Sequence, residues 1–314
     1  MKEKPRLAIT MGDPAGIGPE IVAKLLRLEE TFELCRPIVI GNRETMNKAE
    51  AIVGEPSAAY ELEHFDNVKD HTWGEIRADF GRAAADYIER ASKLALEKKV
   101  AAMITAPIHK EALKAAGVPY PGHTEMIASL CGVSNYGMML AGPSLRVIHV
   151  STHVSLAEAI RRVKPERILN TIRLGHEALK REHIASPRIA VAGLNPHAGE
   201  SGLFGDEEIL YISPAITEAQ NEGINASGPY PPDTVFVQAT KGKFDLVIAM
   251  YHDQGHIPAK LLAFDNSINV TVGLPILRSS VDHGTAFDIA GTGIANESSL
   301  LEAVRYAARI TGEN

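Results

Sequence analysis

Short apolar runs alternate with amphipathic stretches along almost the whole chain. Arg6–Thr10 holds Leu7-Ala8-Ile9 and predicts a strand, followed by a Gly/Pro turn and a helix from about Pro19 to Leu28. Pro37–Ile40 predicts a second strand. Between Phe80 and Lys98 the positions Ala83, Ala84, Tyr87, Ala91 and Leu94 fall on one stripe with a period of about 3.6 residues, which predicts a helix. Val100–Thr105 predicts a strand that stops at Pro107. Leu145–Val150, Arg188–Ala192 and Leu246–Tyr251 are further predicted strands, with helices at Ser155–Arg162, Pro165–Lys180 and Ser298–Ile310. Strands separated by helices imply βαβ units and a mostly parallel sheet, an α/β fold. No internal repeat or flexible Gly/Ser linker divides the chain, so two domains are expected to share it discontinuously, with a cleft between them.

Composition narrows the picture. At 314 residues the chain is about as long as chains that divide into two domains. Aromatic residues are only 5%, so the core must be built from Ala, Val, Ile and Leu, a palette suited to helices on a buried parallel sheet. The formal charge of -7, from 32 basic and 39 acidic residues with no long basic run, argues against nucleic acid or an anionic membrane as partner. An anionic ligand would need basic groups gathered locally. Cys35 and Cys131 lack CxxC spacing and are expected to be reduced thiols. The Lys/Glu/Pro start lacks a signal-peptide apolar region, and no segment reaches the roughly 18 apolar residues of a membrane span, so the expected location is the cytoplasm.

Four constellations carry candidate chemistry. Met11-Gly12-Asp13-Pro14-Ala15-Gly16-Ile17-Gly18-Pro19-Glu20 follows the first strand and opens a helix, a place for an anion or cofactor. Its spacing is not GxGxxG, and alone it is a weak signal that reads more often as a structural turn. His153, His197 and His252 each lie just past a predicted strand. A lone histidine there is more often structural, but three imidazoles with an open position suit a catalytic metal. Asp253 and Asp233 could add a ligand or orient an imidazole. His123 and Thr124, with Lys260, Asn269 and Arg278, form a basic and polar set for an anionic substrate. The polar, Gly-rich run from Ser279 to Asn296 is expected to be a ligand loop.

The Asp282-His283-Gly284-Thr285-Ala286-Phe287-Asp288-Ile289-Ala290-Gly291 run, ending at Ala295-Asn296, resembles the cofactor loop of the isocitrate/isopropylmalate dehydrogenase fold. Together with the longer Gly12–Glu20 turn, Thr105-Ala106-Pro107-Ile108-His109-Lys110, Gly122-His123-Thr124-Glu125, Asn195-Pro196-His197-Ala198-Gly199-Glu200 and Tyr251-His252-Asp253-Gln254-Gly255, it is similar to the 4-hydroxythreonine-4-phosphate dehydrogenase family. The likeness covers essentially the whole chain. It implies two α/β/α domains: an NAD-binding one from 1–125 plus 275–314, and a metal and dimerisation one from 126–274. It also implies one divalent metal per subunit (Zn, Mg, Mn or Co) on His153, His197 and His252. Substrate would meet His123, Thr124, Lys260, Asn269 and Arg278. NAD would meet Gly12, Asp13, Gly284, Thr285, Asp288 and Asn296. Asp233 and Asp253 are the candidate catalytic carboxylates, and the active site would be shared across a homodimer.

The stretch His256-Ile257-Pro258-Ala259-Lys260-Leu261-Leu262-Ala263-Phe264 departs from the pyridoxal-pathway enzyme and looks like the second branch of the family. That branch implies D-threonate or D-erythronate 4-phosphate as substrate, in sugar-acid catabolism. The implied reaction is oxidation of the secondary alcohol by NAD, then decarboxylation. A zinc-dependent dihydrodiol dehydrogenase and a metal-dependent phosphate-ester hydrolase are the competing expectations.

Overall fold

The computed structural model describes residues 3–263 and 266–312, so Phe264 lies outside the described residues. The strands, in chain order, are β1 (Arg6–Thr10), β2 (Arg36–Gly41), β3 (Glu61–His64), β4 (Ala102–Thr105), β5 (Gly137–Ala141) and β6 (Arg146–His149). They continue with β7 (Ile189–Ala192), β8 (Ala226–Tyr230), β9 (Leu246–Ala249), β10 (Ile268–Val272) and β11 (Arg278–Val281). The chain is an α/β protein in two compact units, Met1–Ser134 with Leu274–Asn314, and Asn135–Gly273.

In the first unit the strand order is β3-β2-β1-β4-β11, and every pairing is parallel. Leu7 to Thr10 are buried on both faces of β1, which is why the strand reads as an unbroken apolar run. Helix Ala78–Leu96 buries Phe80, Ala84, Tyr87, Ile88 and Ala91, each large side chain contributing roughly 2 kcal/mol of apolar burial. Residues 126–134 lie with this unit because helix His123–Leu130 packs on helix Ala78–Leu96.

In the second unit the order is β10-β5-β6-β9-β7-β8. The β10–β5 and β5–β6 pairs are antiparallel and the rest parallel. Leu140, Val147, Val247, Phe236 and Phe244 fill its core. Both units place the C-terminal ends of parallel strands where open α/β sheets hold ligands. No helix among the described residues is long and apolar enough to cross a membrane.

Candidate functional site

In the first unit the Gly12–Glu20 turn and the 283–296 loop are bound to each other. Gly12 has φ 76°, and a Cβ there would lie 2.3 Å from the Pro107 carbonyl, so only glycine lets the turn lie against the segment after β4. Asp13 N–H donates to that same carbonyl at 2.9 Å. Ile17 N–H donates to Thr285 O at 2.9 Å. Glu20, fully buried, accepts from Ala295 N–H at 2.8 Å. Lys24, one helical turn later, donates to Gly293 O at 2.8 Å and also to Ala295 O. The ring of His109 stacks on Phe287 at 4.7 Å. Thr285 is buried, whereas Gly284 and Asp288 are exposed on the surface of the loop. Asn296 is exposed too, but its side-chain oxygen accepts from Ser298 N–H at 2.8 Å and opens the last helix.

Asp13 is buried and accepts from Ala15 N–H at 2.9 Å, while its Oδ2 has no partner among the described residues. Burial pushes its carboxyl up to about 6, against the opposing pull of the Ala15 N–H and the nearby His109.

Arg278 opens β11 and is 3% exposed. Its Nη2 donates to Thr105 Oγ1, at the end of the neighbouring β4, at 2.6 Å. Burial lowers the guanidinium to about 10 while Glu125 raises it, so it stays cationic at neutral pH. His123 begins helix His123–Leu130, and its Nε2 is buried without a partner among the described residues although the residue as a whole is half-buried. Burial first, and then the charge of Arg278, holds this imidazole well below its ordinary pKa and therefore neutral. Thr124 follows it, half-buried, in the first turn.

The second unit gathers imidazoles at the ends of β6 and β9. His252 starts helix His252–Ala263, and its Nδ1 lies 2.6 Å from Asp253 Oδ1. With Nδ1–H donating to the carboxylate, Nε2 keeps a lone pair for a metal. The His153 ring is 5.6 Å from that of His252. Two further histidines stand behind them. His256, one turn after His252, stacks on it at 3.7 Å, and its Nδ1 lies 3.1 Å from His149 Nε2. Gly255 permits this approach, since a Cβ there would lie 2.4 Å from His149 Nε2. Burial, then the charges of His256, His252 and His153, lower His149 to about 3 and keep it neutral.

His197 is exposed on a loop of its own after β7. Residues His197, Ala198, Gly199, Glu200 and Ser201 all have positive φ, from 43° to 80°, a left-handed turn disfavoured for all but the glycine. Buried Glu208 holds it, accepting from Leu194 N–H at 2.7 Å, Asn195 N–H at 2.8 Å and Asn195 Nδ2 at 2.9 Å. Sequence reasoning missed Glu208, Lys24 and His149, and named Glu20 and His256 only as members of longer runs without a role of their own; His256, four residues after His252, carries a spacing signal. Among the described residues no three His, Cys, Asp or Glu side chains are drawn into a ready metal cluster. The donor types nevertheless fit a borderline divalent ion: imidazoles, one of them oriented by a carboxylate. Asp233 is exposed in the first turn of helix Pro232–Thr240. Lys260 is half-buried on the helix of His252. Asn269, on β10, is half-buried with its Oδ1 lacking a partner among the described residues.

Residues 33–307 match the family described as pyridoxal phosphate biosynthetic protein PdxA. The chain is 47% identical over 323 residues to the D-threonate 4-phosphate dehydrogenase of Cupriavidus necator, with 98% of this chain and 97% of the relative covered. It is 48% identical over 328 residues to the 4-hydroxythreonine-4-phosphate dehydrogenase of Beijerinckia indica subsp. indica, covering 97% and 94%. The crystal structure of 4-hydroxythreonine-4-phosphate dehydrogenase from Klebsiella pneumoniae superposes with a TM-score of 0.91 at 43% identity, covering 98% of this chain and 100% of that one. With most of its length matched by the family and near-complete relatives at this identity, the chain belongs to the PdxA family.

Proposed function

We propose that the chain is an NAD- and divalent-metal-dependent dehydrogenase of a 4-phosphorylated hydroxy acid, of the D-threonate/D-erythronate 4-phosphate class, that decarboxylates its oxidised product. It has the isocitrate/isopropylmalate dehydrogenase type of two-domain build and works in the cytoplasm as a homodimer with a shared active site. The observation that carries this reading is the Arg278 guanidinium, buried on β11 and cationic, whose charge reaches an imidazole with a buried, unpartnered nitrogen among the described residues. A buried cation beside an unspent hydrogen-bonding group is a place for an anionic, hydroxyl-bearing substrate. The dimer is supported by the large apolar side chains that the second unit leaves exposed, among them Leu203, Phe204, Leu210 and Leu261.

The 283–296 loop would hold the adenosine of NAD, with the exposed Asp288 carboxylate at its ribose and Gly12 and Asp13 lining the turn beneath. His153, His197 and His252 would hold the metal, which when bound supplies Lewis-acid polarisation of the substrate hydroxyl and of the carbonyl it becomes. Arg278 and Lys260 bind the phosphate and carboxylate and fix the substrate's orientation, which lowers the barrier by removing the cost of alignment. Neutral His123 would offer its Nε2 to a substrate oxygen, with Thr124 beside it in the same helical turn, and Asn269 is a further candidate for the substrate's polar groups. Asp253 orients His252 and so is committed. Of the two candidate carboxylates, this leaves Asp233 to receive a proton.

The test is NADH formation with 4-phospho-D-threonate, 4-phospho-D-erythronate and 4-phosphohydroxythreonine, each with and without chelator. Turnover of one of them, lost with chelator and lost in His197→Ala with NAD affinity kept, is the expected result. Silence on all three despite NAD binding would sink the phosphorylated substrate and favour a zinc-dependent dihydrodiol dehydrogenase.

A further inference from the structure

We propose that the second unit carries an additional binding site, for a small phosphate-bearing dianion, in the cavity at the start of helix Pro165–Arg181. The cavity has a volume of about 410 Å³ and is lined by Ser151, Arg162, Lys164, Glu166 and Arg167 among others. None of these belongs to the substrate, metal or cofactor set described above.

Ser151 is 4% exposed, lines this cavity, and its Oγ has no hydrogen-bond partner among the described residues. A buried hydroxyl without a partner costs stability unless something occupies it, so the site asks for an acceptor. Arg167 donates through Nε to the Val150 carbonyl at 2.9 Å, and no carboxylate pairs with it among the described residues. Burial and the charge of Arg162 both push this guanidinium below its ordinary pKa, as expected of a cation without a counter-charge. Arg162 is itself paired with Glu158 at 3.0 Å, a carboxylate it shares with Arg161. Lys164 has its Nζ 4.2 Å from the Tyr211 ring and likewise shows no carboxylate partner among the described residues.

The helix adds donors. It is 17 residues long, its N-cap Lys164 makes no side-chain cap, and Pro165 has no N–H. The N–H groups of Glu166 and Arg167 therefore have no carbonyl one turn back inside the helix. They add to the partial positive charge of the helix start. Two uncommitted cations, a buried hydroxyl and backbone N–H groups suit a dianion with several oxygens, such as a phosphate monoester, better than a monocarboxylate. Glu166 also lines the cavity, as an exposed side chain.

Inorganic phosphate is the probe, titrated calorimetrically into the full chain, with malonate as a dianion that lacks the tetrahedral oxygens. Arg167→Gln should weaken one phosphate-binding event by at least about tenfold, the size of a lost charge-assisted hydrogen bond. Ser151→Ala should weaken the same event by a smaller factor. Arg278→Gln should leave that event untouched, whatever it does to binding in the first unit. If Arg167→Gln fails to fold by circular dichroism, Lys164→Met with Ser151→Ala takes its place, since both keep the Arg167–Val150 bond. Phosphate binding that is the same in these variants as in the wild type overturns the site. So does an affinity for malonate equal to that for phosphate, which would mean charge screening only.

Discussion

The two units prepare their chemistry in opposite ways. In the first, the candidate cofactor loop is held largely through backbone groups: Thr285 O, Gly293 O, Ala295 O and Ala295 N–H are all bonded to the turn and helix after β1. In the second, the candidate ligands are side chains on separate strand ends, and one of them, His197, rides on a left-handed turn. Backbone hydrogen bonds make a loop rigid before any ligand arrives. A strained turn persists only while its surroundings over-determine it. The first unit is thus assembled in advance, and in the second the His197 turn depends on one buried carboxylate, Glu208.

Removing that carboxylate is the strongest way to test the contrast. Glu208→Ala deprives the Leu194 and Asn195 backbone N–H groups of their acceptor, while the Asn195 amide keeps Glu207 Oε2 at 2.7 Å. At about 1–3 kcal/mol for each of these two unsatisfied groups, the local cost is roughly 2–6 kcal/mol. The His197 turn should open, and zinc affinity measured against a chromophoric chelator should fall by roughly 10–100-fold. NAD affinity should stay where it was. Zinc affinity unchanged in this variant would mean that Glu208 does not position His197.

The matching experiment in the first unit is Glu20→Ala. It removes the acceptor of Ala295 N–H and the partner that lies 3.5 Å from Lys24. Because the other backbone bonds to the loop remain, the expected loss is smaller: about 2 kcal/mol of stability and roughly a tenfold weaker NAD, with zinc binding intact. Glu20→Gln keeps an acceptor oxygen and should recover most of the affinity. Equal losses of NAD and zinc binding in Glu20→Ala would erase the distinction between the units.

How much of this could be read from the sequence follows from where hydrophobic signal exists. β1 and β9 are apolar and buried on both faces, and both stand out as runs. β11 is just as buried, yet it consists of Arg278, Ser279, Ser280 and Val281, so nothing in its polarity marks a strand. β3, reading Glu-Leu-Glu-His at the sheet edge, and β8, with Gly228 and Pro229 inside it, are silent for the same reason. The candidate ligands were legible because Gly and His cluster at predicted strand ends. Glu208 was not, because a lone glutamate in a helix looks like a solvated charge until the fold buries it, and Glu20 was legible only as the end of the turn motif, not as the acceptor of Ala295 N–H. The left-handed turn at His197–Ser201 was equally hidden, since four of its five residues have side chains that ordinarily avoid that backbone.

Pre-assembly in the first unit carries a cost that Asp13 makes measurable. Its folded pKa of about 6 lies above the ordinary 3.8, so between those values the folded chain holds a proton that the unfolded chain has released. Stability therefore falls as pH rises through that window, and the penalty is complete above about pH 6 and absent below about 3.8. The full shift corresponds to roughly 3 kcal/mol. Asp13→Asn keeps an oxygen for Ala15 N–H but places an amide where Oδ2 has no partner among the described residues, so only part is recovered. The net gain near pH 8 should be about 1 kcal/mol, raising the thermal midpoint slightly, with the slope between pH 4 and 6 flattened. A variant less stable than the parent at pH 8, with the slope unchanged, would mean that Asp13 is ionised at little cost and that the turn beneath the loop stores no such strain.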